Sequence, residues 1–229
     1  LAYFQAYTST YAEVEHLRKM YESALLQANM VGLCVGTRPD CVPVSVLDLL
    51  QGYCEQGYEV WLELGLQTAH NKTLKHINRG HDFQCYQATT KEARRRGLKV
   101  CTHLIIGLPC EDHQLNMQTL EQVVETGVDG LKLHPLHIVE GSTIAKAWKA
   151  GRISALTQQQ YVYTAGEIIR HTPAEVIYHR VCASARKPTL LAPEWCENHW
   201  LGMNALYQYL LEKGVQGSGI NKPFVANCK

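Results

Sequence analysis

Residues 59–80, which read EVWLELGLQTAHNKTLKHINRG, predict a strand, a polar corner and a helix. Alternate side chains of a strand point to opposite faces. One face of this strand carries only aliphatic side chains, while the other carries a carboxylate, a glycine and an amide. The aliphatic set is Val60, Leu62, Leu64 and Leu66, and the mixed set is Trp61, Glu63, Gly65 and Gln67. We therefore expect a strand that packs against helices on its aliphatic face.

Glu63 and Gln67 are unexpected in a strand that only holds a fold together. A buried polar group without a hydrogen-bond partner costs about 1–3 kcal/mol. Either other protein groups or a ligand should therefore meet these two side chains, and the strand alone does not decide between them.

Strand and helix patterns alternate along the whole chain. Strand-like stretches begin near residues 2, 31, 59, 99 and 130, a spacing of about 30 residues that is typical of βαβ units in a parallel sheet. Polar residues gather where these strands end, which is where α/β barrels place their chemistry. Because the inward positions are small and mixed, we predict a partial TIM-like barrel instead of a Rossmann-type sheet. Five or six units are too few for a complete eightfold barrel.

Local signals set the expected boundaries. A capping box at Thr10–Glu13 predicts a helix that runs to about Asn29. Residues 130–138 read as one strand, and a second capping box at Thr157–Gln160 predicts a helix to about His171. The further predicted elements are a short helix capped by Ser142, a strand at 175–184 and a helix at 198–213.

Composition bounds the class of protein and its compartment. The 229 residues are 46% hydrophobic, which suits one sizeable globular domain. With 22 basic and 21 acidic residues the net charge is +1, so bulk charge gives no sign of a nucleic-acid or membrane surface. No apolar run approaches the ~20 residues of a membrane span, and no signal-peptide pattern is seen. Nine cysteines without a C-x-x-C pattern fit a reducing cytoplasm.

Several motifs together resemble those of radical S-adenosylmethionine (SAM) enzymes. ELGLQT followed by NKTLKHINRGH resembles the fourth βα unit of that family, and HLIIGLPCED resembles its fifth-strand motif. The resemblance is strongest to the branch that contains oxygen-independent coproporphyrinogen oxidase and the elongator catalytic subunit. YFQAYTST, VGLCVGTRPDCVP, GLKLHPLHIVEGS and VIYHR…ASARKPTLLAP are similar to the YhcC-like subfamily in particular.

The resemblance implies a (β/α)6 partial barrel with a helical C-terminal extension. The barrel core would occupy residues 1–140, starting at about the second strand, and the last barrel unit and the extension would occupy 141–229. The implied cofactors are a [4Fe–4S] cluster, held by three cysteines after the first strand, and SAM on the cluster's open iron site. One-electron reduction would then yield a 5′-deoxyadenosyl radical that abstracts a hydrogen atom from a substrate.

The resemblance also implies a set of SAM-binding residues. Tyr7, Thr8 and Ser9 match the segment that binds the SAM amino group, although no Gly-Gly-Glu stands there. Glu63 and Gln67 match polar groups that meet the ribose or the carboxylate.

The later strands supply the other implied contacts. Ile105 matches an isoleucine that packs on adenine, Gly107 lets the backbone approach, and the main chain from His134 to Leu136 would edge the adenine. The remaining candidates are Arg38, for a carboxylate or substrate anion, His103, in place of the motif's first glycine, and Asp112, in place of its terminal acid.

The cluster motif itself is absent from these residues. Cys34 and Cys41 lie on and after the wrong strand, and no third cysteine follows at the required gap. We therefore expect that the first strand and the cluster loop lie upstream of Leu1, and that the 229-residue chain alone is inactive.

Two rival functions stay open at this point. One is a metal-dependent barrel hydrolase that uses His103, Asp112, His134 and His137. The other is a non-catalytic barrel that binds a ligand or a partner. The residues do not name the substrate, which in the related branch ranges from porphyrin precursors to RNA. An electron donor is the expected partner of a radical enzyme.

Overall fold

The structure is a computed structural model that describes residues 1–5, 8–27 and 29–220, apart from the side chain of His199. Two compact units divide the chain. The first comprises Leu1–Leu104 with Glu125–Lys132, and the second comprises Ile105–Val124 with Leu133–Lys229.

Strands and helices alternate as the sequence predicts. The strands are β1 (Ala2–Phe4), β2 (Gly32–Thr37), β3 (Glu59–Gln67), β4 (Lys99–Ile106), β5 (Gly130–Pro135), β6 (Ile138–Val139), β7 (Ile177–Arg180) and β8 (Leu190–Ala192). The helices are α1 (Val14–Leu25), α2 (Val44–Glu55), α3 (Asn71–His76), α4 (Phe83–Arg95), α5 (His113–Thr126), α6 (Thr143–Lys149), α7 (Gln158–Arg170) and α8 (His199–Lys213). One sheet has the order β1-β2-β3-β4-β5-β7, and β1 to β4 pair in parallel. This order confirms the predicted α/β class.

The central strand β3 is buried on both faces. Its aliphatic set is at most 2% exposed, as expected for side chains that pack in the core. On the opposite face, Trp61 and Glu63 are also buried, at 3% and 1% exposure. A carboxylate at that depth must be met by other polar groups.

Close backbone approach explains one glycine of β2. A Cβ on Gly32 would collide with the backbone carbonyl of Glu59 on the neighbouring strand. At Gly32, therefore, the missing side chain lets two neighbouring strands pack closely.

The predicted capping box at Thr10–Glu13 is wrong. The Thr10 hydroxyl pairs with Thr37 Oγ1 at 2.6 Å and donates to the carbonyl of Cys41 at 2.5 Å. Helix α1 therefore begins at Val14 with Glu13 as its N-cap residue and no side-chain cap. It ends at Leu25, short of the predicted Asn29, and buries Leu17, Tyr21 and Leu25.

The second unit contains the confirmed caps and one missed strand. Thr157 and Gln160 form the predicted reciprocal capping box, and the Ser142 hydroxyl accepts from the Ala145 amide. The predicted strand 130–138 is two strands, because β5 ends at Pro135 and β6 pairs antiparallel with β8. Strand β8, which has three residues and is followed by Pro193, was not predicted from the sequence. Among the described residues, no helix has the length and apolar character that crossing a bilayer needs.

Candidate functional site

Glu63 lies at the centre of a buried polar cluster in the first unit. Lys132 Nζ donates to both carboxylate oxygens at 2.6 Å, and the Tyr3 hydroxyl donates at 2.8 Å. Cys34 Sγ lies 3.0 Å from Oε1 and His103 Nε2 lies 3.0 Å from Oε2. These five residues, which we call the Glu63 cluster, come from five strands, β1 to β5. The sequence left open whether protein groups or a ligand meet Glu63, and the structure shows that protein groups do.

The charges of the Glu63 cluster follow from its burial. Burial pulls the pKa of Lys132 down, but hydrogen bonds to Glu63 and Tyr3 outweigh it, so the pKa is raised and the side chain stays an ammonium. Burial, with Glu63 nearby, raises the pKa of the Cys34 and Cys101 thiols far above the ordinary value. Both cysteines are therefore neutral thiols beside a paired carboxylate and ammonium.

A second group of polar residues lies at the C-terminal end of β3. Arg79 donates from Nη2 to the carbonyl of Gly65 at 2.7 Å, while its buried Nε has no hydrogen-bond partner. A Cβ on Gly65 would lie 2.9 Å from Gln67 Nε2 and 3.2 Å from Arg79 Nη2, so the ends of both side chains lie close to this glycine. Gln67 itself has a φ of 80°, a backbone conformation that side chains rarely adopt. We call Gly65, Gln67 and Arg79 the Arg79 site. In it, a guanidinium with one unpaired nitrogen lies beside the side-chain amide of Gln67, a residue whose backbone conformation is unfavourable.

Arg38 is already neutralised by a neighbour. Its Nε donates to Asp40 Oδ1 at 3.0 Å, and its Nη2 contacts the other carboxylate oxygen. His81 Nδ1 lies 3.6 Å from Asp40, and burial, followed by the charge of Arg79, lowers the pKa of this imidazole. Of the two arginines, Arg38 is therefore paired with a carboxylate, whereas Arg79 bonds a backbone carbonyl and has a buried Nε without a hydrogen-bond partner.

The residues after β1 line a cleft of about 530 Å³ in the first unit. Thr8 and Ser9 both contribute to its wall, and the Ser9 amide donates to the carbonyl of Gly36 at 3.2 Å. Tyr7 lies outside the described residues.

The second unit contains five of the predicted site residues, and two of them are notable for their main-chain geometry. Gly107 has a φ of 96°, and the side chain of Leu156 packs against it. The Leu136 amide donates to the carbonyl of Ile106 at 2.9 Å. Asp112 is exposed and accepts from the Leu115 amide at 2.9 Å, as an N-cap of α5 does. Ile105 and His134 are half-buried.

The structure brings some of the predicted residues together and adds others. Glu63 contacts His103 directly, and Gln67 lies beside Gly65. Arg79, Lys132 and Tyr3 were not predicted from the sequence as site residues. A signal for Lys132 existed, since it alternates with Leu131 and Leu133 in a strand pattern, as Glu63 does in β3.

The described residues do not fit a [4Fe–4S] cluster. Such a cluster needs three cysteines that converge on one point. The eight cysteines in the described part of the chain are free, and no three of them group as metal ligands.

Within the second unit, the described residues Asp112, His134 and His137 likewise form no ligand group, so the hydrolase alternative gains no support there.

Comparison with known families gives two matches. The model of the radical SAM superfamily matches residues 2–123, and the model of the radical SAM C-terminal domain matches residues 128–212.

Individual relatives agree with these matches. Protein YhcC of Escherichia coli strain K12 is 70% identical over 225 residues, which cover 98% of this chain and 73% of that protein. Protein YtqA of Bacillus subtilis is 39% identical over 214 residues, which cover 93% of this chain and 66% of that protein.

A solved structure carries the fold. Elp3 of the archaeon Methanocaldococcus infernus, with an N-terminal deletion, superposes with a TM-score of 0.82 at 21% identity, covering 93% of this chain and 54% of that chain. This likeness confirms the predicted partial barrel.

Proposed function

This chain belongs to the radical SAM superfamily, and from that membership we propose that the Arg79 site binds the amino-acid end of S-adenosylmethionine. The observation that supports this most is the buried Arg79 Nε without a partner. A guanidinium presents its donors in a planar fork that matches a carboxylate. Gln67 adds an amide at the same end of β3, and Gly65 keeps the space between them open.

The other predicted contacts complete the proposal. Thr8 and Ser9 lie in a cleft at the end of β1, where main-chain groups would hold the SAM amino group. The adenine contacts of Ile105, Gly107 and the main chain of residues 134–136 stay predictions, and the proposal for Arg79 does not need them. The ribose contact of Glu63 stays a prediction, and the proposal does not rest on it because that carboxylate already accepts from several side chains.

When bound, SAM and a [4Fe–4S] cluster would supply the radical chemistry expected of this family, in which a hydrogen atom is removed from a substrate. The described residues of this chain would bind and orient SAM, and we propose that the cluster cysteines lie outside them. We propose that the substrate is a small molecule or an RNA and that an electron donor is a partner. The cysteine usage supports a cytoplasmic location.

Equilibrium dialysis of the purified chain with two ligands tests the Arg79 assignment. SAM carries the carboxylate, and 5′-methylthioadenosine lacks the whole amino-acid end. A charge-assisted hydrogen bond contributes about 1.5–3 kcal/mol, so Arg79→Gln should weaken SAM binding at least about tenfold and leave 5′-methylthioadenosine unchanged.

Arg94→Gln is the matched control, because Arg94 pairs on the surface with Asp129 at 3.2 Å. Equal loss for both ligands in Arg79→Gln would contradict the carboxylate assignment. Failure of the parent chain to bind either nucleoside would contradict the proposed function.

A further inference from the structure

Two members of the Glu63 cluster, Glu63 and His103, form with Cys101 a set of side chains with metal-ligand character. One ligand atom each of Glu63, Cys101 and His103 lie within 4.8 Å of one another. The set combines a carboxylate, a thiol and an imidazole, which are the ligand types of Zn²⁺ sites with three protein ligands and one open position.

Strand geometry fixes this arrangement. Cys101 and His103 are two residues apart on β4, so both side chains point to the same face. Glu63 is the register partner of Cys101 on β3, which places it directly beside them. Because side chains two residues apart on a strand share a face, the C-x-H sequence at 101–103 places a thiol and an imidazole side by side.

The Glu63 carboxylate already binds one cation, the Lys132 ammonium. Lys132 brings its ammonium to both oxygens of Glu63, and its side chain is only 6% exposed. With neutral thiols, the carboxylate and the ammonium balance each other. A divalent ion bound by one thiolate and one carboxylate would also be balanced, and the ammonium would then be surplus.

We propose that Glu63, Cys101 and His103 form a binding site for one thiophilic divalent cation of the Zn²⁺ class, in competition with the Lys132 ammonium. On binding, the Cys101 thiol gives its proton to solvent and the sulfur bonds the metal. Lys132 withdraws from the carboxylate, whose freed lone pair takes the ion. The site is distinct from a SAM site at Arg79 and does not depend on it.

Cobalt titration of the metal-free chain of residues 1–229 tests the site. Co²⁺ bound to a thiolate gives a near-ultraviolet charge-transfer band, and Zn²⁺ should abolish the band by displacing Co²⁺. Cys101→Ser should remove the band and weaken Zn²⁺ binding at least about 100-fold, because even loss of an outer partner of a metal ligand weakens binding about 10–100-fold. Lys132→Met should bind Zn²⁺ about tenfold more tightly or better, since no ammonium has to be displaced.

Cys54→Ser is the control, because Cys54 lies on α2, its Sγ donates to the carbonyl of Gly97 at 3.8 Å, and it is not one of the three proposed ligands. This variant should keep both the band and the affinity. The absence of a thiolate band in both the parent and Lys132→Met would overturn the proposal, as would a band that survives Cys101→Ser. If Cys101→Ser does not fold by circular dichroism, His103→Gln decides in its place, with a retained band and affinity counting against the site.

Discussion

Removing the Lys132 ammonium should test how the buried charge of Glu63 is held. Glu63 is 1% exposed, and Lys132 donates to both of its oxygens at 2.6 Å. Deleting one partner of a buried ion pair leaves the other charge uncompensated, at a loss of about 3–5 kcal/mol. We therefore expect Lys132→Met to lower the free energy of unfolding by that amount in urea titrations followed by circular dichroism.

A double-mutant cycle separates this effect from lost packing. Glu63→Gln combined with Lys132→Met removes both charges, so the double variant should be markedly more stable than the sum of the two single losses implies. Lys99→Met is the matched control, because Lys99 pairs with Glu59 at the surface, where both side chains are over 40% exposed. Such exposed pairs contribute at most about 1 kcal/mol.

The pH dependence has a defined sign. The pKa of Lys132 is raised in the folded protein, so its contribution is complete below the ordinary lysine pKa of about 10.4 and is lost as pH rises through the folded value. The stability difference between parent and Lys132→Met should stay constant from about pH 6 to pH 9 and shrink above about pH 10. A loss under about 1 kcal/mol for Lys132→Met, or strict additivity in the cycle, would refute the reasoning.

Two other predictions concern the backbone of β2 and the cluster cofactor. Gly32→Ala should lower the free energy of unfolding by several kcal/mol, because its Cβ would collide with the Glu59 carbonyl. Gly52→Ala in α2 is the control, since its Cβ meets no atom within 4 Å and should raise the free energy of unfolding by about 0.5–1 kcal/mol. Equal melting temperatures of the two variants would contradict this. After iron–sulfur reconstitution under anaerobic conditions, the 229-residue chain should stay colourless, since its described cysteines do not converge; a broad visible absorbance with bound sulfide would show that its own cysteines suffice.

Periodic patterns predicted the fold because they report burial directly. The alternation in β3 placed Leu62, Leu64 and Leu66 in the core, and each is fully buried. Thr10 shows the limit of local signals, because a contact with Thr37, 27 residues away, takes the hydroxyl that the capping box needed. β8 has three residues and lacks enough length for a period to be read.

The candidate site was harder to predict because its parts meet only in space. Sequence alternation marked Glu63 as a polar residue in a core strand, but its partner Lys132 is 69 residues away. Arg79 follows α3 in a polar segment where arginine is ordinary, and only its contact with Gly65 makes it notable. The SAM-contact roles of the twelve carried-over residues stay predictions.

The convergence of five strands on Glu63 also bears on how the sheet chooses its alignment. A slip of any one of these strands by a single residue would turn its polar side chain to the opposite face and leave hydrogen-bonding groups stranded in the core. An all-aliphatic version of this layer would tolerate such slips more easily, even if it melted at a higher temperature. The hydrogen bonds of the Glu63 carboxylate therefore favour one register of the neighbouring strands over registers shifted by one residue.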